Sequence, residues 1–293
     1  MPAARAFSIL LLTTLLATAP WHDAQAQLER RRAAPPGPVE LTFMAPRHIS
    51  LLTVEPLGAG ELHYSIMHTF GEVSSGGRNL WGIDNGANVR LSLEYAPSDR
   101  LSWMFGRSSE DKSFDLGGRW HWLRQMEDDS VPVSVTVSGG IGYTGDDYAY
   151  LAEDYTFQER FNGQAWVHAA RKFSPDLSLQ LSAGAAHFRR VGRELRLASP
   201  VENTYFGAGV SGRYRFAPRV AATFQAIPRV YGNESDVVLG AGIDIETGGH
   251  VFQLYLITFN ALNDAYALAG ANGGISDGAF RFGFNVNRIF NVR

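Results

Sequence analysis

The residue types that could do covalent or acid–base work form a narrow set here. The chain has 293 residues and no cysteine. That excludes a thiol nucleophile, a thiolate zinc site, a disulfide framework and covalently attached haem. No Gly-x-Ser-x-Gly elbow presents a serine. His63 and His68 are five apart, so on a strand they face opposite sides and cannot share an ion. His63, His121 and His168 fall on polar positions and could meet across an enclosed space, but a satisfied or hydrated imidazole is the expectation, with no metal site. The strings Gly58-Ala59-Gly60 and Gly240-Ala241-Gly242 lack the strand–turn–helix setting of a phosphate loop, and no cofactor is expected. The remaining chemistry lies in nine charges: Arg90, Glu94, Asp115, Arg119, Arg213, Arg215, Asp244, Glu246 and Arg281. Charges of mixed sign facing one interior can pair and so satisfy each other, or they can line a path and filter ions or small solutes. The two readings weigh equally.

Those charges share an interior only if their segments are strands. From Gly60 onward the dominant pattern has period two. Val89, Leu91, Leu93 and Tyr95 alternate with Arg90, Ser92 and Glu94, and Leu177, Leu179 and Leu181 alternate with Ser178, Gln180 and Ser182. The same holds along 101–106, 131–138, 206–214, 237–246 and 280–287. Such runs are β-strands with one apolar and one polar face. Weaker runs at 61–70, 113–123, 164–173, 220–227 and 250–259 bring the count to about twelve.

Many antiparallel strands with one apolar face form either a soluble sandwich or a transmembrane barrel. The polar faces, rich in Gly and Ser with scattered charge, suit a crowded lumen. Runs of roughly 9–11 residues match a tilted spanning strand. Connection lengths add the strongest argument. Stretches 71–87, 144–160, 189–203 and 260–278 are long, whereas 97–100, 174–176, 217–219 and 247–249 are short. With both termini in the periplasm, long loops face outward and tight turns inward, as in outer-membrane barrels. The connection at 108–112 is short where a long one is expected. Trp103, Phe105, Trp120, Trp122, Tyr143, Tyr214 and Phe216 lie near strand ends, where interfacial girdles form. The expected fold is therefore all-β, an antiparallel up-and-down transmembrane β-barrel of about twelve strands, present as a monomer.

The leading segment supports that address. Arg5 precedes an apolar run over 6–19, Pro20 ends it, and Ala24-Gln25-Ala26 supplies a cleavage site. This is the pattern of a secretory signal peptide over 1–26, and with no cysteine after it lipoprotein anchoring is excluded. Residues 27–39, with Arg30-Arg31-Arg32 and three prolines, read as a flexible periplasmic tail. The barrel domain then covers 40–293. Formal net charge is −3, which argues against a nucleic-acid partner. The acidic, aromatic loop 144–160 could hold a cation or a sugar, with a solvated loop as the default.

Several strings occur together in order: Gly60-Glu61-Leu62, His68-Thr69-Phe70-Gly71, Trp81-Gly82-Ile83-Asp84, Gly106-Arg107-Ser108, Leu123-Arg124-Gln125, Gly249-His250-Val251-Phe252-Gln253-Leu254 and Arg281-Phe282-Gly283-Phe284-Asn285. In combination they resemble an uncharacterised bacterial outer-membrane β-barrel family, a domain of unknown function, over roughly 43–290. Thr69 stands where that pattern carries a basic residue. The resemblance implies a barrel in the outer membrane and brings no catalytic residues. The last strand, ending in Val286-x-Arg288-x-Phe290, resembles the signal read by the barrel-assembly machinery, with Arg288 replacing the usual apolar residue and Asn291-Val292-Arg293 overhanging the expected terminal aromatic. The expected function is a narrow small-solute or ion channel, or a structural membrane protein, embedded in outer-membrane lipid and not an enzyme. One alternative is a barrel-embedded lipid-modifying hydrolase, for which His68 lies on the apolar side but lacks a recognisable serine beside it. The other is a secreted soluble β-sandwich that binds a ligand.

Overall fold

The computed structural model describes residues 36–147, 156–189, 203–232, 236–270, 274 and 277–292. The stretch read above as a signal peptide, most of the basic tail and part of the acidic loop lie outside these residues. The first strands are β1 (Arg47–His48), β2 (Leu51–Leu52), β3 (Glu61–Glu72), β4 (Ala87–Ser98) and β5 (Leu101–Ser108). Next come β6 (Phe114–Leu123), β7 (Ser134–Tyr143), β8 (Phe161–Lys172), β9 (Leu177–Phe188) and β10 (Thr204–Ala217). The last are β11 (Val220–Ile227), β12 (Arg229–Tyr231), β13 (Val238–Glu246), β14 (His250–Ile257) and β15 (Arg281–Asn291), with one short helix, α1 (Asp264–Ala269), before β15.

Twelve of these strands form one closed antiparallel barrel. Each pairs with the next in chain order, β12 adds a short extension on β10, and β15 returns to pair with β3. The seam sets Phe290 opposite Leu62 and Phe284 opposite His68. Closure leaves no sheet edge, the condition for a strand protein in lipid. The alternation expected from sequence holds: Leu91, Leu93, Tyr95, Leu116, Leu181 and Leu254 are exposed on the outer wall, while Arg90, Glu94, Arg119, Gln180 and Gln253 are buried inside. Tyr95, Trp103, Trp120, Trp122, Tyr214 and Phe216 are exposed near the end that carries the short turns, as a girdle requires. Strand β7 begins at Ser134 rather than 131, because Pro132 lacks the N–H a ladder needs. It continues through Gly139-Gly140, which lie opposite Gly118 and Gly117 of β6. A Cβ on Gly117 would sit 2.7 Å from the Gly139 carbonyl oxygen, so these glycines permit close backbone contact.

One feature departs from the expected layout. The wall begins at Glu61, and the preceding stretch, counted above with the barrel domain, runs inside it. Residues 42, 43, 45 and 47–54 are all buried, and β1 pairs with β2 as a minimal hairpin. The last residues of the basic tail dock on the turn after β6, where the Val39 amide donates to the Gln125 carbonyl at 2.7 Å.

Candidate functional site

The lumen is the only enclosed space a barrel offers, and here side chains of the wall build it. Period two sends alternate residues of each strand inward, and register decides which of them meet. Arg90 on β4 reaches Asp115 on β6, two strands away. It can do so because Gly106 of β5 lies between them: a Cβ there would be 2.2 Å from an Arg90 guanidinium nitrogen. Arg119 pairs with Glu94, its Nε donating at 2.7 Å, and Ser102 donates to the same carboxylate. Toward the long-loop end Arg281 pairs with Glu72. At the short-turn end Arg215 pairs with Asp176. Arg213 and Asp244 are both buried inside, and Asp244 accepts from Gln253 Nε2 at 3.2 Å. Glu246, at the end of β13, joins no ion pair among the described residues. Of the nine charges read from sequence, Arg90 pairs with Asp115 and Arg119 with Glu94, while Arg281 and Arg215 take partners outside the set.

The inward histidines each contact a neighbour, although His121 Nε2 has no partner among the described residues. His121 Nδ1 contacts Thr136 Oγ1 at 2.9 Å, and His168 lies between Ser182 at 2.9 Å and Ser138 at 3.3 Å. His63 contacts Asn287 Oδ1 at 3.1 Å. Among the described residues no cluster could hold a metal ion. His68 faces outward and stacks on Phe284 with ring centroids 4.4 Å apart. Its register partners are Val89 and Phe284, so no serine stands directly across from it.

The residues missed by sequence reasoning are those that hold the inner hairpin. Its two-residue pairing satisfies few of its peptide groups, so wall side chains complete its hydrogen bonds. Gln180 accepts from the Val54 amide at 3.0 Å and donates to the Leu52 carbonyl at 2.8 Å. Gln225 accepts from the Ser50 amide at 3.1 Å and donates to its hydroxyl at 2.6 Å. Asn285 donates to the Ile49 carbonyl at 2.7 Å, Gln253 to the Arg47 carbonyl at 3.2 Å and Arg119 to the Thr53 carbonyl at 3.0 Å. His48 Nε2 meets the Phe224 carbonyl at 2.9 Å, so that nitrogen carries the proton. A buried peptide group without a partner costs on the order of 1–3 kcal/mol, so these amides explain why a non-sheet segment can stay inside. The available signal was compositional: Gln180, Gln225, Gln253 and Asn285 all fall on inward positions of otherwise Gly- and Ser-rich faces.

From the opposite end the loop between β14 and β15 folds inward. Asn263 caps α1, accepting from the Ala265 amide at 2.8 Å. Ala265, Leu268 and Ala269 form one apolar cluster with Ile49, Leu51, Phe188, Tyr205 and Ile227. Asp264 receives two hydrogen bonds from Arg47, at 2.6 and 2.9 Å, at the tip of the inner hairpin. Burial alone would raise the Asp264 carboxyl, but the Arg47 guanidinium outweighs it and holds the group below its ordinary range. Two segments entering from opposite ends thus meet at one ion pair and fill the middle of the barrel.

A family described as a membrane bound beta barrel domain (DUF5777) matches residues 43–290. The chain belongs to that family. It is a membrane-bound β-barrel, and the matched stretch takes in the inner hairpin as well as the wall. No curated protein matches the chain. Among solved structures it is similar to the KdgM porin, at 8% identity and a TM-score of 0.45, covering 78% of this chain and 98% of that one. The NanC porin gives 6% and 0.46 with the same coverage. The COG4313 outer membrane channel from Pseudomonas putida F1 gives 12% and 0.45, covering 80% and 97%.

Proposed function

We propose that this chain is an outer-membrane barrel that serves as a narrow channel for small solutes, closed in the described state by residues 42–57. The observation that supports this reading is how the inner hairpin is held. Polar side chains of Arg119, Gln180, Gln225, Gln253 and Asn285 bind its backbone one bond at a time. Ile49 and Leu51 pack into the apolar cluster and Phe43 and Val54 beside Ala170, but the backbone between them is held by polar contacts that water can replace. Side chains that can turn to water leave a wetted, charged wall when the hairpin withdraws. A twelve-strand barrel has a backbone radius of roughly 12 Å, so a narrow path would remain. The short turns face the periplasm, from which the hairpin enters, and β15 is the segment offered to the assembly machinery. In the closed state Arg90–Asp115 and Arg119–Glu94 pair within the lumen, and Arg281 and Arg215 pair with Glu72 and Asp176; these charges border the path only once it opens. The outward His68, stacked on Phe284, lends nothing to a hydrolase.

Planar-bilayer recording of the mature chain and of a chain lacking residues 40–57 tests this reading, with a heat-modifiability gel to show that both are folded. Rare openings in the first and steady current in the second are expected. A folded deletion chain that carries no current would mean that the barrel is structural.

A further inference from the structure

Arg288, the basic residue in the terminal-strand motif, finds no role in the lumen. On β15 the buried, inward positions are Gly283, Asn285 and Asn287, so Arg288 shares the outward face with Phe282, Phe284 and Phe290. Its register partners are His250 on β14 and Tyr64 on β3, both on outward positions. The three side chains therefore form one row across three strands, and the second step of that row crosses the seam where the last strand meets the first.

The charge of Arg288 is uncompensated. Its Nη1 donates to His250 Nε2 at 2.8 Å, so that nitrogen is unprotonated and the imidazole brings no negative charge. Its guanidinium carbon lies 4.8 Å from the centroid of the Phe290 ring, and His250 stacks on Phe252. No carboxylate pairs with Arg288 among the described residues. A guanidinium has five N–H donors, and the imidazole takes one. The level is that of a membrane interface. Asn287 is buried in the filled interior, whereas Ile289, two residues nearer the end of β15, is exposed and lines the cleft at the short-turn mouth. A cation on a lipid-facing wall at that depth is drawn to the anionic headgroups of the lipid.

We infer that the row His250–Arg288–Tyr64 binds the phosphate of an anionic phospholipid in the periplasmic leaflet. Arg288 supplies charge-assisted hydrogen bonds, the Tyr64 phenol a further donor, and Phe252 and Phe290 an apolar flank for the glycerol backbone. A phosphate held there spans β14, β15 and β3, so it clasps the closure seam. The inference rests on the membrane orientation proposed above but not on conduction.

The test reconstitutes the mature chain in phosphatidylcholine bilayers with and without phosphatidylglycerol, then counts retained lipids by native mass spectrometry. Wild type should retain phosphatidylglycerol over phosphatidylcholine by about fivefold, the ratio one basic side chain at an anionic surface supports. Arg288→Gln should abolish the preference, and Tyr64→Phe should weaken it. Arg107→Gln, at a cation on the same outer wall, should leave it unchanged. Equal preference in wild type and Arg288→Gln overturns the site. If inorganic phosphate in phosphatidylcholine raises the unfolding temperature as much as phosphatidylglycerol does, the site takes a free anion and the lipid assignment falls. If Arg288→Gln does not fold, Tyr64→Phe decides: a folded variant with the preference weakened supports the site, and one with it intact overturns it. Conductance is read separately, so loss of channel activity and loss of lipid preference remain distinguishable.

Discussion

Removing the Arg47 guanidinium should release the inner hairpin. Arg47 and Asp264 have side chains only 5% and 8% exposed, and Arg47 also donates to the Ser50 carbonyl at 2.5 Å. In Arg47→Met the apolar stem is kept, but the Asp264 carboxylate is left buried without its cation. Breaking one side of such a pair costs about 3–5 kcal/mol, a factor on the order of 100 to several thousand in the population of the withdrawn segment. Without Arg47, burial raises the Asp264 carboxyl, so the penalty shrinks as falling pH protonates it. The double variant Arg47→Met with Asp264→Leu replaces the pair by apolar contact and should regain most of the loss, since such replacements are often neutral or stabilising. Hydrogen–deuterium exchange at the Ser50 and Val54 amides, bound by Gln225 and Gln180, reports withdrawal directly, and planar-bilayer open probability reports its effect. Exchange in Arg47→Met as slow as in wild type would refute the reasoning. So would a double variant that exchanges as fast as the single.

Gly106→Val should break the Arg90–Asp115 pair, because its side chain would occupy the guanidinium's path. A loss of about 3–5 kcal/mol in refolding titrations is expected, against little change for Leu91→Phe on the outer wall. Leu91→Arg places a charge among lipid chains and should cost about 2–4 kcal/mol in liposomes, and refolding titrations that match wild type would show that the outward face is misassigned. Burial of His48 holds its imidazole down at about 4, with Arg213 adding to the effect and the Phe224 carbonyl opposing it. The withdrawn hairpin would titrate near 6.5. Above that pH the group contributes nothing, and each unit between 6.5 and 4 favours withdrawal by about 1.4 kcal/mol. Open probability should therefore rise as pH falls through this window, and His48→Gln should flatten that part of the profile. Glu55, raised by burial in the inserted state, favours insertion as pH falls from its raised value to its ordinary one, so the comparison is made in a Glu55→Gln background, where a profile unchanged by His48→Gln removes His48 as the sensor.

The wall of this protein was legible in its sequence because a strand in lipid obeys local rules. Val89 to Tyr95, or Leu177 to Leu181, announces its two faces without knowledge of any neighbour. Long and short connections announce up-and-down order, and closure follows because lipid tolerates no open edge. The nine charges could be placed on the inward face by the same alternation. Which of them pair could not be read, because Arg90 and Asp115 are 25 residues apart and meet only through the register of three strands and the gap at Gly106. The inner hairpin was the least legible part. Residues 42–57 carry no period, and their backbone is satisfied by Gln180, Gln225, Gln253 and Asn285, which come from four different strands. Nothing local distinguishes such a glutamine from one that faces water. Alternation is a property of one strand, but filling a lumen needs the closed barrel, since only closure brings those side chains around one space and makes burial of Arg47 against Asp264 possible.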